Sequence, residues 1–282
     1  MRRRYFIYAP GMPFTWSTLA ERSLGGSESA AAYLARALAA RGHEVMVFTN
    51  DARGEALDGI RYVPLGSCTQ RNPFGENFER AAAAIPHDVL IMQRVPRAFT
   101  NPSASRVRFW WAHDLGQRHL AGEMHAGLWA CHGMLAVSAW HAAQLTDVYQ
   151  LPRGFVRVLP NAVDQDLFSI EPDIDRKLRR KLMVYSSRPE RGLEHLVGTG
   201  GIMDRLYASA ESDANRVTLA VCGYDNTPAQ LRGFCEHLWA RCRALPNVVL
   251  LGALTKVQLA RLWRAAWLHV YPVIDADRFE EV

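Results

Sequence analysis

The sequence predicts an α/β protein made of two successive parallel-sheet domains, and three observations carry that prediction. A first run of strand, glycine turn, helix and strand spans Tyr5 to Thr49, the βαβ order of a parallel sheet. A polar stretch from Phe168 to Lys181 then interrupts the alternation, and beyond it the strand-and-helix pattern restarts. The length of 282 residues, 49% hydrophobic and 22% charged, supplies apolar material for a core in each half. The expected organisation is a first domain over residues 1–169, a linker over 170–181 and a second domain over 182–282, the two domains facing each other across a cleft.

Tyr5-Phe6-Ile7-Tyr8-Ala9 is an apolar run stopped by Pro10-Gly11, which reads as a buried first strand. After a long loop, Leu24-Gly25-Gly26-Ser27-Glu28-Ser29 leads into Ala30 to Arg41, where alanines and leucines recur at helical spacing and stop at Gly42. Ser27 is the expected N-cap, and Gly25 and Gly26 would let the backbone approach a ligand closely. The turn lacks GxGxxG spacing, which argues against NAD or FAD. Strands follow at Glu44 to Thr49, Ile60 to Leu65 and Val89 to Met92, with a helix at Asn77 to Ala84. Val107 to Asp114 places His113 at the C-terminal end of a strand, where open α/β sheets hold their ligands. The competing reading of His113 is a hydrogen-bonded strand-end histidine. Gly133 to Val137 and Val156 to Leu159 complete the strands of this half, with Ser138 capping a helix that runs to Tyr149.

In the second half, Leu182 to Tyr185 is a short apolar strand that runs through Ser186-Ser187-Arg188-Pro189-Glu190-Arg191-Gly192 into a helix expected to reach Ala210. A helix starting there would aim unpaired N–H groups and its positive dipole end above the strand, and Arg188 and Arg191 would add two guanidinium forks. That combination suits a doubly charged phosphate group. The alternative is an ordinary connection whose arginines stand in solvent. Val217 to Cys222, Val248 to Leu250 and Leu268 to Tyr271 read as strands, and Ala229 to Ala244 and Lys256 to Ala266 as helices.

A net charge of +5 and a pI near 9.1 come from arginine rather than lysine. No stretch alternates basic and aromatic residues as a nucleic-acid platform would, so nucleic acid is not expected as a partner. Arg2, Arg3 and Arg4 read as a solvated terminus, with peripheral contact to an anionic membrane as the minority reading. No apolar run approaches the roughly 20 residues needed to span a bilayer, and the residues after Arg4 are too few for a signal peptide, so the cytoplasm is the expected compartment. Five cysteines without a CxxC pair point to reduced thiols and no structural metal.

Taken in order, Gly25-Gly26-Ser27-Glu28, Val137-Ser138, Pro160-Asn161-Ala162-Val163-Asp164-Gln165-Asp166-Leu167-Phe168 and Ser187-Arg188-Pro189-Glu190-Arg191-Gly192-Leu193 resemble the retaining glycosyltransferases of family four. Gly223, Val248 to Gly252 and Leu268 to Pro272 fall where that family has comparable segments, and Ala162 stands where the family usually has glycine. The resemblance implies two Rossmann-like domains in the GT-B arrangement and transfer of a sugar, with retention, from a nucleotide-diphosphate donor to an acceptor on the first domain. No cofactor or metal is implied. On matching positions, Arg188 and Arg191 would bind the diphosphate, and Gly25, Gly26, Ser187 and Gly223 would line the donor. His113 would contact the transferred sugar rather than serve as an obligatory base. Glu281, or less favourably Glu280, would be the first glutamate of a Glu-x7-Glu motif whose second member lies past Val282. The expectation is therefore a second domain that is incomplete, reduced activity, and self-association through the exposed sheet edge at Leu268 to Tyr271. A non-catalytic nucleotide-sugar binder is the alternative.

Overall fold

The computed structural model describes residues 1–168, 174–210, 216–223, 227 and 229–274. The chain divides into two compact units, one formed by Met1–Leu19 and Leu24–Ala162, the other by Ala20–Ser23 and Val163–Val282. In chain order the first stretch comprises β1 (Arg4–Ala9), α1 (Thr18–Glu21), α2 (Gly26–Ala40), β2 (Glu44–Thr49), β3 (Glu55–Leu57), β4 (Ile60–Pro64), α3 (Glu76–Ala84) and β5 (His87–Gln93). It continues with β6 (Ser105–Trp111), α4 (Ala121–Leu128), β7 (Gly133–Ala136), α5 (Ala139–Tyr149) and β8 (Val156–Val158). The eight strands form one sheet in the order β3-β4-β2-β1-β5-β6-β7-β8. All pairings are parallel except β3 with β4.

Strand alternation splits the core of this sheet into two layers. From β1, Phe6 and Tyr8 point to one face with Met46, Phe48, Leu90 and Met92, under Phe78 of α3 and Leu145 and Tyr149 of α5. Ile7 and Ala9 point to the other with Val45, Val47 and Ile91, under Ala31, Ala32 and Ala35 of α2. Both faces of the central strands are thus buried, which is why they read as continuous apolar runs. The chain leaves β1 towards β2 on one side and returns to β5 on the other. The order therefore reverses between β1 and β5, and such switch points open a crevice at the C-terminal strand ends.

The second unit contains α6 (Gln165–Phe168), α7 (Ile174–Arg180), β9 (Leu182–Tyr185), α8 (Leu193–Val197), α9 (Ile202–Ala208) and β10 (Thr218–Cys222). It continues with α10 (Arg232–Ala244), β11 (Val248–Gly252), α11 (Lys256–Ala265) and β12 (Leu268–His269). Its sheet is parallel, in the order β11-β10-β9-β12, so a second switch point falls between β9 and β12. Met183, Tyr185, Leu219 and Val221 pack under α8 and α10, while Val184, Ala220 and Cys222 face Ala266 and the apolar side of α11.

Four local expectations change. The helix after β9 stops at Val197 and resumes at Ile202, because Gly198, Gly200 and Gly201 interrupt it. Seven residues of the expected linker, Ile174–Arg180, are helical. The antiparallel β3 and the helix α4 were not expected: β3 is three residues with an exposed outer end, and α4 carries two glycines in eight residues. The strand expected over Leu268 to Tyr271 is confined to Leu268–His269. Among the described residues no helix is long and apolar enough to cross a membrane, and no three His, Cys, Asp or Glu side chains cluster as a metal site. The cysteines are free thiols, and burial pushes Cys131, Cys222 and Cys242 up to about 11, leaving them protonated and unreactive at neutral pH.

Candidate functional site

In the first unit the candidate residues gather at the C-terminal ends of β1, β5 and β6. The helix α2 begins at Gly26 with Gly25 as its N-cap, which corrects the expectation that Ser27 caps it. The Ser27 hydroxyl instead donates to Oε2 of Glu28 at 3.0 Å, and Glu28 Oε1 accepts the Met12 N–H at 3.2 Å. Glu28 is buried, and a Cβ on either Gly11 or Gly25 would collide with its carboxylate. A side chain at Gly25 would therefore require the Glu28 carboxylate to shift. Around Gly26 the space is open.

Gln93, the last residue of β5, ties this turn to His113. Its side-chain amide donates to the Ser27 carbonyl at 3.0 Å and lies 2.9 Å from Nε2 of His113. Because the Ser27 partner is a carbonyl, the Gln93 atom is the amide nitrogen, so Nε2 of His113 is the acceptor and its proton sits on Nδ1. Burial, then the electrostatic influence of Arg94 and His141, push His113 down to about 3. The ring is neutral at physiological pH. Arg94 adopts a left-handed backbone (φ 63°) and its Nε pairs with Asp114 at 3.1 Å. Strain of this kind at a strand end is held only where neighbours over-determine it. His141 is buried on α5, accepts from the Val137 N–H through Nδ1 at 3.4 Å and so donates from Nε2 to the Asp114 carbonyl at 3.0 Å. Ser138 caps α5 through the His141 N–H at 3.0 Å.

In the second unit Ser187, Arg188 and Arg191 share the turn that follows β9, at the switch point, and Gly223 follows the neighbouring strand β10. Ser187 is buried, and the Gly223 N–H donates to the Gly252 carbonyl at 2.9 Å. Arg188 Nε lies 2.8 Å from Oε1 of the buried Glu190. The Tyr185 hydroxyl donates to the Arg188 carbonyl at 2.5 Å, which pins the turn to the strand. The helix dipole expected here is weak, since α8 has five residues. The N–H groups of Arg191, Leu193 and His195 are already bonded to the carbonyls of Arg188, Pro189 and Gly192. The charge of this turn thus resides in guanidinium groups, with Glu190 offsetting part of it. Gly192 is left-handed (φ 92°), and a Cβ there would collide with the Pro272 carbonyl just past β12. Ser186 and His269 meet across the same switch point at 3.2 Å. Glu280 and Glu281 lie outside the described residues.

Residues 24–167, slightly more than half of the chain, match the family model described as Glycosyltransferase Family 4. The chain belongs to this family. Several solved structures are similar to this family 4 chain in fold. A glycosyltransferase from Rickettsia africae is 16% identical, with a TM-score of 0.64 over 97% of this chain and 74% of its own. HepE from Anabaena, crystallised with UDP-glucose, is 14% identical, with a TM-score of 0.67 over 99% and 76%. The α,α-trehalose 6-phosphate synthase from Burkholderia multivorans is 13% identical, with a TM-score of 0.62 over 99% and 81%. No curated protein sequence matches the chain significantly. The fold is GT-B, two Rossmann-like sheets.

In this family 4 glycosyltransferase, the local sequence around three further candidate residues does not reveal their contacts. Gln93 is a polar residue ending an apolar strand, and that placement was the available clue. Glu28 sat inside the Gly-Gly-Ser-Glu turn, where a buried acid one turn into a helix is unremarkable in sequence. His141 looked like one more residue of an amphipathic helix. In the first unit these side chains present a neutral imidazole with its Nδ1–H as donor; in the second, two guanidinium groups occupy one turn.

Proposed function

We propose that the chain transfers a sugar from a nucleoside-diphosphate sugar to an acceptor hydroxyl with retention of configuration. The observation that carries this reading is the switch-point turn Ser187 to Gly192, where Arg188 and Arg191 stand beyond a buried strand end in a family 4 chain. The second unit holds the donor and the first the acceptor. Breaking the bond between the anomeric carbon and the diphosphate oxygen places negative charge on the leaving group. Arginines fixed before the reaction stabilise that charge more in the transition state than in the ground state. The acceptor oxygen forms the new bond on the same face of the sugar, and its proton passes to the departing diphosphate oxygen. His113 then donates its Nδ1–H to a sugar hydroxyl, since its Nε2 lone pair is engaged by Gln93. Within the second unit, Ser187 and Gly223 line the donor. No metal or cofactor takes part, and the protein works in the cytoplasm.

Because HepE was crystallised with UDP-glucose, that donor heads the panel to be tested. Incubation with UDP-glucose, UDP-galactose, GDP-mannose and ADP-glucose should release nucleoside diphosphate from one of them, with the product anomer matching the donor. Binding of a nucleoside diphosphate without any release would reassign the chain to nucleotide-sugar binding alone. Absence of both would overturn the reading.

A further inference from the structure

The strongly charged surface not used above lies at the opposite end of the first sheet, at the N-terminal ends of β1, β2, β5 and β6. An open cleft of about 450 Å³ there is lined by Arg2, Arg3, Arg4, Arg106, Glu44 and Asp88, with Pro86, His87 and Ala104. The volume is that of an ordinary ligand site. Four arginines face two carboxylates, and both carboxylates are engaged. Glu44 holds Arg4 at 3.0 Å; Asp88 accepts the Arg4 N–H at 2.9 Å and lies 3.9 Å from Arg106. Arg4 is further fixed by donating to the Pro86 carbonyl at 2.9 Å. The side chains of Arg2 and Arg3 have no acidic partner among the described residues, and both are exposed. The lining therefore carries an excess of two positive charges on groups whose planar forks match phosphate oxygens.

We infer that this cleft is a second anion site, separate from the Arg188 turn, that takes a phosphomonoester dianion. Arg2 and Arg3 supply the uncompensated charge, and Arg106, 80% exposed at the end of its long contact with Asp88, swings onto the ligand. The pre-oriented Arg4 forms the wall. The site is independent of the transferase reading, because it uses other residues at the other end of the sheet. The phosphate belongs either to a lipid headgroup or to a soluble phosphate compound.

The test uses the full chain carrying Arg188→Ala and Arg191→Ala, which silences the other anion site. Inorganic phosphate is titrated calorimetrically, and vesicles of phosphatidylcholine with and without phosphatidic acid are used for co-sedimentation. Phosphate binding should persist in this background and weaken at least tenfold when Arg2→Ser, Arg3→Ser and Arg106→Ser are added. Arg2→Ser with Arg3→Ser alone, both on exposed side chains, should lose at least fivefold with an unchanged melting temperature. Retention on vesicles that requires phosphatidic acid and disappears with the substitutions assigns the headgroup. Phosphate binding without vesicle retention assigns a soluble compound. Failure of both probes to bind, or binding that the three serines leave within twofold, overturns the inference.

Discussion

His113, two residues past the end of β6, has surroundings that favour a neutral imidazole. Gln93 occupies Nε2, and burial beside Arg94 and His141 penalises the imidazolium. The consequence for stability has a definite sign. The ordinary value is 6.5 and the folded value about 3, so between those pH values the unfolded chain binds a proton that the native chain refuses. Stability is therefore full above about pH 6.5 and falls as the pH drops towards 3, by at most about 1.4 kcal/mol per unit. His87 and His269, lowered chiefly by burial, add slope of the same sign. Thermal melts from pH 7.5 to 4.5 should show this decline, and His113→Gln should flatten part of it; an unchanged slope in the variant would place the titration elsewhere. Glu28 makes a second residue-scale case. Glu28→Ala removes the acceptor of the Met12 N–H and opens a void between Gly11 and Gly25, for an expected loss of about 1–3 kcal/mol in denaturant titration. A loss below about half a kcal/mol would show that the carboxylate does not hold the two glycine turns together.

At the scale of elements, the turn between β9 and α8 depends on a single backbone conformation. Gly192 has positive φ, and its missing Cβ is where the Pro272 carbonyl sits. Gly192→Ala should cost at least about 2 kcal/mol by melting and should weaken nucleoside-diphosphate binding as the turn shifts. Normal melting and binding in that variant would mean the chain past β12 is free to retreat. The same turn shows what a sequence makes legible. The apolar runs of β1, β2, β5 and β9 were readable because both faces of a central parallel strand are buried, so no polar alternation blurs them. The clustering of Arg188 and Arg191 was readable because they share the seven-residue turn from Ser186 to Gly192. Glu190, between them in sequence, gives no sign that it folds back onto Arg188, and the helical pattern runs through Gly198 to Gly201, where the helix in fact stops. Gln93 and His113 are 20 residues apart, and their hydrogen bond exists only because β5 and β6 are neighbours in the sheet. Pairings of that kind follow from topology, which local spacing does not contain.

The whole molecule repeats one device twice. Each unit is built on a mainly parallel sheet whose strand order reverses, and each gathers its candidate residues at the C-terminal strand ends: Gln93, His113 and the Gly25 turn in one, the Ser187 to Gly192 turn in the other. The excess of arginine is also divided, with Arg188 and Arg191 at a strand C-terminal end and Arg2 to Arg4 with Arg106 at strand N-terminal ends. The central claim is that the turn after β9 binds the donor diphosphate through Arg188 and Arg191. Its most direct test is calorimetric titration of UDP, GDP and ADP into the unaltered chain, Arg188→Ala and Arg191→Ala. One nucleotide should bind the unaltered chain, and each variant should weaken it by roughly 10- to 100-fold, as the loss of a charge-assisted contact of about 1.5–3 kcal/mol requires. The double variant should lose less than the product of the two, since both arginines share one ligand. Affinities within twofold of the unaltered chain in both single variants would contradict the claim.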